Sequence, residues 1–206
     1  MAEVTDALIA RAHGLPTATL LEANAKEGAL PSRIKPVDPA MRVMGRAFTV
    51  SSPPADNLWL HKAIYAAQPG DVMVVHCGEH FEAGYWGEIM STAAQVRGLG
   101  GLVIDGGVRD SQLLAEIGFP VFSAAICIRG TAKDRDARGA LGGPITIGGV
   151  VIHQGDLIAG DADGVVRLRA DRAEATVEAG HDREAKEADI LKRLRAAEST
   201  LDIYGF

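Results

Sequence analysis

The sequence predicts an α/β protein that ends in a β-rich section and one long helix. Three observations carry this. Short Val/Ile runs alternate with amphipathic segments between Arg46 and Ile128. From Pro144 the texture changes to three strand-like runs, ITIGGVVIH, GDLIAGDADG and VVRLR, separated by Gly/Asp turns. From Asp171 to about Ser199 the chain is rich in Ala, Glu, Arg and Lys, the composition of a charged helix. No internal repeat or low-complexity linker divides it, so 1–206 is read as one domain with 171–206 as a C-terminal helical extension.

In chain order, Thr17 after Pro16 is placed to cap a helix through ATLLEANAKE, with Gly28 ending it, and residues 29–45, with three prolines, read as a loop. RAFTVSS, 46–52, is a strand stopped by Pro53 and Pro54. Asp56 can cap NLWLHKAIYAAQ, a helix closed by Pro69-Gly70, before the buried strand DVMVVHC. After a loop over 78–87, GEIMSTAAQVRG is a helix feeding the strand GLVIDGG. Asp110 then starts a helix through SQLLAEIG, followed by the strand VFSAAICI. In the last helix Ala175, Ala179, Ala185, Ala188, Leu191 and Leu194 form a thin apolar stripe, which predicts packing across its own body or a neighbouring subunit.

Composition removes several function classes. Twenty-seven acidic against 21 basic side chains give a charge of −6, the wrong sign for coating nucleic-acid phosphates. No run approaches the ~18 apolar residues of a membrane span, and the opening segment carries Glu3 and Asp6, so a cytoplasmic protein without membrane or nucleic-acid partners is expected. Cys77 and Cys127 match neither a zinc pair nor a disulfide framework and read as small buried hydrophobes.

The densest constellation is GLGGLVIDGGVRD, 98–110. A strand enters, Gly106 and Gly107 free the backbone of side chains, and Arg109 and Asp110 emerge together at a helix start. A carboxylate beside a permanent cation suits a divalent metal and an anionic oxygenated substrate; a surface ion pair beside a glycine turn is the plainer alternative. The glycines fall before and after the strand, which is not the dinucleotide-binding order. The second feature, GYWGEIM, 84–90, offers helix N-terminal N–H groups for a carboxylate, although Glu88 also suits simple dipole compensation. His76 and His80 sit at a strand end broken by Gly78, a poor zinc pair. Asp161-Ala162-Asp163-Gly164 lacks the downstream Glu of a calcium loop and reads as a hairpin turn, and the Asp-interleaved basic segment 129–138 as a solvated loop or subunit contact.

Through GLGGLVIDGGVRD, GYWGEIMSTAA and the tail LDIYGF, the chain resembles the regulator of ribonuclease activity A-like family from about Thr17 to its C-terminus. Within it the likeness is to the metal-dependent 4-hydroxy-4-methyl-2-oxoglutarate / 4-carboxy-4-hydroxy-2-oxoadipate aldolases. The resemblance implies a swivelling, phosphohistidine-domain-like β/β/α fold with a β-rich core, assembled as a homotrimer or homohexamer. It implies a class II pyruvate aldolase of aromatic-compound breakdown that uses Mg²⁺ or Mn²⁺, with oxaloacetate decarboxylation as a side activity. By the same likeness Arg109 binds the pyruvyl unit, Asp110 is the direct metal ligand, and the segment Gly87, Glu88, Ile89 and Met90 cradles substrate. Glu88 holds metal-bound water, and Glu184 or Glu187 from a neighbouring subunit reaches the metal through water. The non-enzymatic, ribonuclease-regulating branch typically lacks the acid after the Arg and the long C-terminal helix, and this chain has both. No lysine lies in the motif, which disfavours Schiff-base chemistry.

Overall fold

A computed structural model describes residues 3–206. Helices α1 (Asp6–Ala12) and α2 (Thr17–Ala23) precede strands β1 (Lys35–Pro36) and β2 (Val43–Ser51). There follow α3 (Leu58–Ala66), β3 (Val72–His76), β4 (Gly84–Trp86), α4 (Glu88–Val96), β5 (Gly101–Val108), α5 (Ser111–Ile117) and β6 (Val121–Ile126). The β-rich section comprises β7 (Ala140–Leu141), β8 (Ile145–Ile147), β9 (Val150–Ile152), β10 (Leu157–Asp161) and β11 (Gly164–Leu168), and the chain ends in α6 (Ala173–Arg195) and α7 (Thr200–Tyr204).

The main sheet has the order β1-β6-β5-β3-β2-β10-β11. Strands β2, β3, β5 and β6 are parallel, as crossover helices α3, α4 and α5 require, whereas β10 and β11 join antiparallel through a tight hairpin. β1 lies against β10 and β11 at the far end of this order, so the sheet nearly closes into a barrel. Gly160 permits that curvature, because a Cβ there would stand 2.7 Å from Val43 and 3.0 Å from Phe122.

Alternation along the strands sorts side chains into two cores. Val43, Ala47, Val72, Val74, Val103 and Phe122 point into the barrel, where the β8–β9 hairpin adds Ile145, Ile147 and Ile152. Phe48, Val50, Met73, Val75, Leu102 and Ile104 face outward, under Leu60, Ile64, Met90, Ala94 and Leu114 of the crossover helices. A third cluster seats α1, α2 and the start of α6 on β10 and β11 through Leu8, Leu20, Val177, Leu157 and Leu168. The architecture is the α/β swivelling fold with a long C-terminal helix that the sequence predicts. Among the described residues no helix is long and apolar enough to cross a membrane.

Local boundaries differ where side chains have partners far along the chain. Thr17 is the first residue of α2 and not its cap; its hydroxyl donates to Asp161 at 2.6 Å. α2 stops at Ala23, well before Gly28, because Ala25 and Lys26 turn left-handed. The loop over 29–45 contains β1 and the start of β2, which pairs with β10 from Val43, and the loop over 78–87 contains β4, which extends β5. ITIGGVVIH is two strands about Gly148-Gly149. In α6 the buried face is Ala173, Thr176, Val177 and Gly180, whereas Ala175, Ala179, Ala185, Ala188 and Leu191 of the expected stripe are exposed. Nor does one helix run to Ser199: Ala197 turns left-handed, Arg193 pairs back with Glu198, and Ser199 caps α7.

Candidate functional site

The candidate residues gather at the C-terminal ends of the parallel strands, where α/β sheets commonly bind ligands. β5 stops at Val108, and Arg109 and Asp110 follow. Asp110 is left-handed (φ 58°), a conformation Asp tolerates better than most residues, and its side chain does not cap α5. It instead faces the start of α4, where Oδ2 accepts the Glu88 N–H at 3.2 Å and lies 3.9 Å from Arg109 Nε. Gly87 makes this approach possible. A Cβ at Gly87 would stand 2.3 Å from Asp110 Oδ2, and one at Gly84 would stand 2.4 Å from the Cys127 carbonyl and 3.1 Å from Arg109 Cβ. The two motifs singled out in the sequence are thus one site, joined by β4 pairing beside β5.

A cavity of about 130 Å³ opens here, lined by Asn57, His61, Trp86, Gly87, Ile89, Met90, Arg109, Asp110 and Lys133, among others. Asn57 Nδ2 donates to the Tyr85 carbonyl at 2.8 Å, which fixes the amide orientation, and leaves the buried Oδ1 without a partner among the described residues. The first turn of α4 supplies N–H groups that no helical carbonyl accepts. Glu88 gives its N–H to Asp110, and its side chain is exposed outside the lining. Glu184 accepts the Thr19 hydroxyl at 2.5 Å and Glu187 pairs with Arg183 at 2.9 Å; neither lines the cavity.

Three lining residues escape the sequence reading: Asn57, His61 and Lys133. The segment 129–138 is not simply a solvated loop, since it borders the cavity and adds Lys133 to the same lining as Arg109 and Asp110. Burial, and then the charge of Lys133, hold the His61 imidazole below its ordinary pKa. The only signal for this association was a basic residue within an Asp-rich run, which specifies no partner.

Other sequence candidates have structural roles. Asp105 is fully buried and accepts the Cys77 N–H at 2.6 Å and the Cys77 thiol at 3.0 Å, with His76 Nδ1 at 2.5 Å. Burial, reinforced by Asp105, pushes the Cys77 thiol pKa up, and Cys127 is free and half-buried. His80 turns instead to the Tyr85 hydroxyl, at 3.2 Å. Asp161 and Asp163 form the β10–β11 turn. Among the described residues no three His, Cys, Asp or Glu side chains converge as a metal cluster.

Comparison with known proteins agrees with this architecture. A Halalkalibacterium halodurans protein provisionally named 4-hydroxy-4-methyl-2-oxoglutarate aldolase is 35% identical over 88% of this chain and 84% of its own. A Pseudomonas syringae pv. tomato protein of uncharacterized function superposes with a TM-score of 0.85 over the whole of both chains, at 27% identity. Streptomyces coelicolor RraAS2, described as an unusual member of the RNase ES inhibitor RraA protein family, gives a TM-score of 0.78 at 25% identity over 93% of this chain and 98% of its own. The RraA-like family, Aldolase/RraA, matches residues 1–167, from the N-terminal helices through the barrel and the Arg109–Asp110 turn, and the chain belongs to that family.

Proposed function

We propose that this protein is a divalent-metal-dependent class II pyruvate aldolase. It cleaves 4-hydroxy-2-oxo acids of the 4-hydroxy-4-methyl-2-oxoglutarate or 4-carboxy-4-hydroxy-2-oxoadipate type to pyruvate and a second oxo acid, and decarboxylates oxaloacetate as a side reaction. The observation that carries this reading is the convergence of Arg109, Asp110 and the first turn of α4 on one small cavity.

The donor set fits a hard cation. Only Oδ2 of Asp110 is engaged among the described residues, and its side chain is 36% exposed, so Oδ1 is open for ligation. A single carboxylate suits Mg²⁺ or Mn²⁺, which keep waters and take substrate oxygens, better than a metal needing an all-protein cage. Bound there, the cation would supply Lewis-acid polarisation of the 2-oxo group. Glu184 and Glu187 each engage one oxygen, with Thr19 and Arg183, so the other oxygen of either, from a neighbouring subunit, could hold a metal-bound water.

The chain's own residues account for the rest. The N–H groups of Ile89 and Met90 receive the pyruvyl carboxylate. The Arg109 guanidinium pairs with the 2-oxo oxygen and gains strength as C3–C4 cleavage places negative charge on it. Glu88 orients a water that removes the 4-hydroxyl proton and later returns one to C3, and Asn57 Oδ1 accepts a hydrogen bond from that water. Lys133 takes the second carboxylate of a diacid. Exposed Leu191, Leu201, Tyr204 and Phe206 on α6 and the C-terminal tail support assembly as a homotrimer or homohexamer.

The test is pyruvate release from a panel of 4-hydroxy-2-oxo acids and oxaloacetate with Mg²⁺, with Mn²⁺ and with excess chelator. Metal-dependent release that Asp110→Asn abolishes without lowering Tm is expected. Unchanged Asp110→Asn turnover in chelator overturns the reading and leaves the non-enzymatic ribonuclease-regulating alternative. A borohydride-trapped adduct at Lys133 would mean Schiff-base chemistry instead.

A further inference from the structure

Asp56 is 3% exposed and lies beside the cavity without lining it. Its Oδ1 accepts the Leu58 N–H at 2.8 Å, at the first residue of α3, and its Oδ2 accepts the Asp134 N–H at 2.6 Å. The flanking backbone is laced to the same segment. Ala132 N–H donates to the Ala55 carbonyl at 2.8 Å, and Asn57 N–H donates to the Ala132 carbonyl at 3.1 Å. Farther along, Trp59 Nε1 donates to the Ala137 carbonyl at 3.1 Å. The Asp134 amide has no backbone acceptor among the described residues, so Asp56 alone satisfies it.

A carboxylate is acceptor-only, and this one spends one oxygen on the local Leu58 N–H and the other on the distant Asp134 N–H. One donor begins the helix that carries His61, and the other immediately follows Lys133. We propose that Asp56 is a positioning residue: by clamping the Asp134 amide to the start of α3 it sets where Lys133 stands, and so determines how well the site receives a substrate's second carboxylate. This rests on the role given to Lys133 above. Asparagine at 56 is nearly isosteric but has one acceptor oxygen, so one of the two N–H groups would face an amide NH₂.

Hydrogen exchange of the substrate-free protein and steady-state kinetics test this together. In the wild-type chain the Asp134 amide should exchange at least ~100-fold more slowly than in an unstructured peptide. D56N should speed exchange at Ala132 and Asp134 by ~10-fold or more. For a 4-hydroxy-2-oxo diacid, D56N should raise KM by ~10-fold with little change in kcat, the pattern of lost uniform binding. Exchange of the C3 protons of pyruvate, which has no second carboxylate, should be unaffected. In a Lys133→Ala background D56N should add nothing to KM. A freely exchanging Asp134 amide in the wild-type chain, or an equal KM rise in both backgrounds, overturns the proposal. If the wild-type protein releases no pyruvate from any oxo acid, the aldolase reading fails, whereas the exchange measurements still decide whether Asp56 clamps the segment.

Discussion

Two cavities lie at opposite ends of the parallel strands. At the N-terminal ends of β2 and β5, a space of about 600 Å³ is lined by residues including His13, Thr17, Arg42, Gly100 and Asp161. Two of its polar side chains are already engaged: Asp161 accepts Thr17 Oγ at 2.6 Å, Thr17 N–H at 2.9 Å and Asp163 N–H at 2.9 Å, and Arg42 Nη1 donates to the carbonyls of Pro39 and Met41, each at 3.0 Å. At the C-terminal ends the space is only about 130 Å³, yet it holds an orphaned Asn57 oxygen, a half-engaged Asp110 and two cations, Arg109 and Lys133. Unsatisfied polar groups identify a reactive site better than volume does, because a buried donor or acceptor without a partner costs stability unless a ligand or water compensates it.

Exchanging one arginine at each end tests that contrast most strongly. Arg109→Ala removes a cation whose value grows as charge develops, so kcat should fall by about 10²–10³ and oxalate, a planar mimic of the pyruvate enolate, should bind less tightly. Arg109→Lys should recover only part, since a point charge lacks the planar fork. Arg42→Ala, at the other end, should leave kcat unchanged. A rise in KM alone for Arg109→Ala, with oxalate inhibition intact, would reduce Arg109 to a positioning role.

The same contrast explains what the sequence discloses. Alternating strands and helices read correctly because β3 and β5 are buried on both faces, which makes each a short continuous apolar run between amphipathic segments. The Arg109–Asp110 turn was legible because glycines crowd around it, and Gly84 and Gly87 prove necessary for close approach. His61 and Lys133 were not, since their meeting depends on Asp56 reaching Asp134, and no local pattern encodes a contact between distant segments. The α6 stripe does not face this chain's own body, for a related reason. Alanine marks helix propensity as readily as burial, and the face buried against this chain is Ala173, Thr176, Val177 and Gly180, with Leu15 and Leu20 beneath Gly180. Helix α1 was missed, although Thr5 caps it by accepting the Leu8 N–H at 3.2 Å.

A smaller effect on activity is expected from glycine substitutions that separate close approach from backbone conformation. Gly87 is extended (φ −162°), so alanine there meets no backbone strain, but its Cβ would fall 2.3 Å from Asp110 Oδ2. Displacing that carboxylate should lower kcat/KM by ~10-fold or more while Tm barely moves. Gly14, beside the larger cavity, is the converse, with φ +93° and nothing within 4 Å of a Cβ. Gly14→Ala should cost about 1–2 kcal/mol of stability and leave the rate intact. Equal activity losses in the two variants would erase the distinction between the ends.

The smallest effect on turnover is predicted for Asp161→Asn, which changes a titratable group in the larger cavity. Burial by itself would raise the pKa of Asp161, but hydrogen bonds from the Thr17 hydroxyl, the Thr17 amide and the Asp163 amide outweigh it and hold the pKa below its ordinary value. A carboxylate depressed in the folded state contributes stability that is complete above its unfolded pKa, near 3.9, and is lost as pH falls through the folded value. At neutral pH the asparagine variant keeps the side-chain shape but loses charge-assisted bonds, which costs about 1–3 kcal/mol. That corresponds to a Tm lower by roughly 2–10 °C. The gap between variant and wild type should narrow as pH drops below about 4, where this carboxyl is protonated first in the unfolded chain and only at lower pH in the folded one. Thermal melts from pH 3 to 7, with kcat measured at neutral pH, check both halves. A tenfold loss of kcat with unchanged Tm would place chemistry at the N-terminal end of the strands and reverse the assignment of the two cavities.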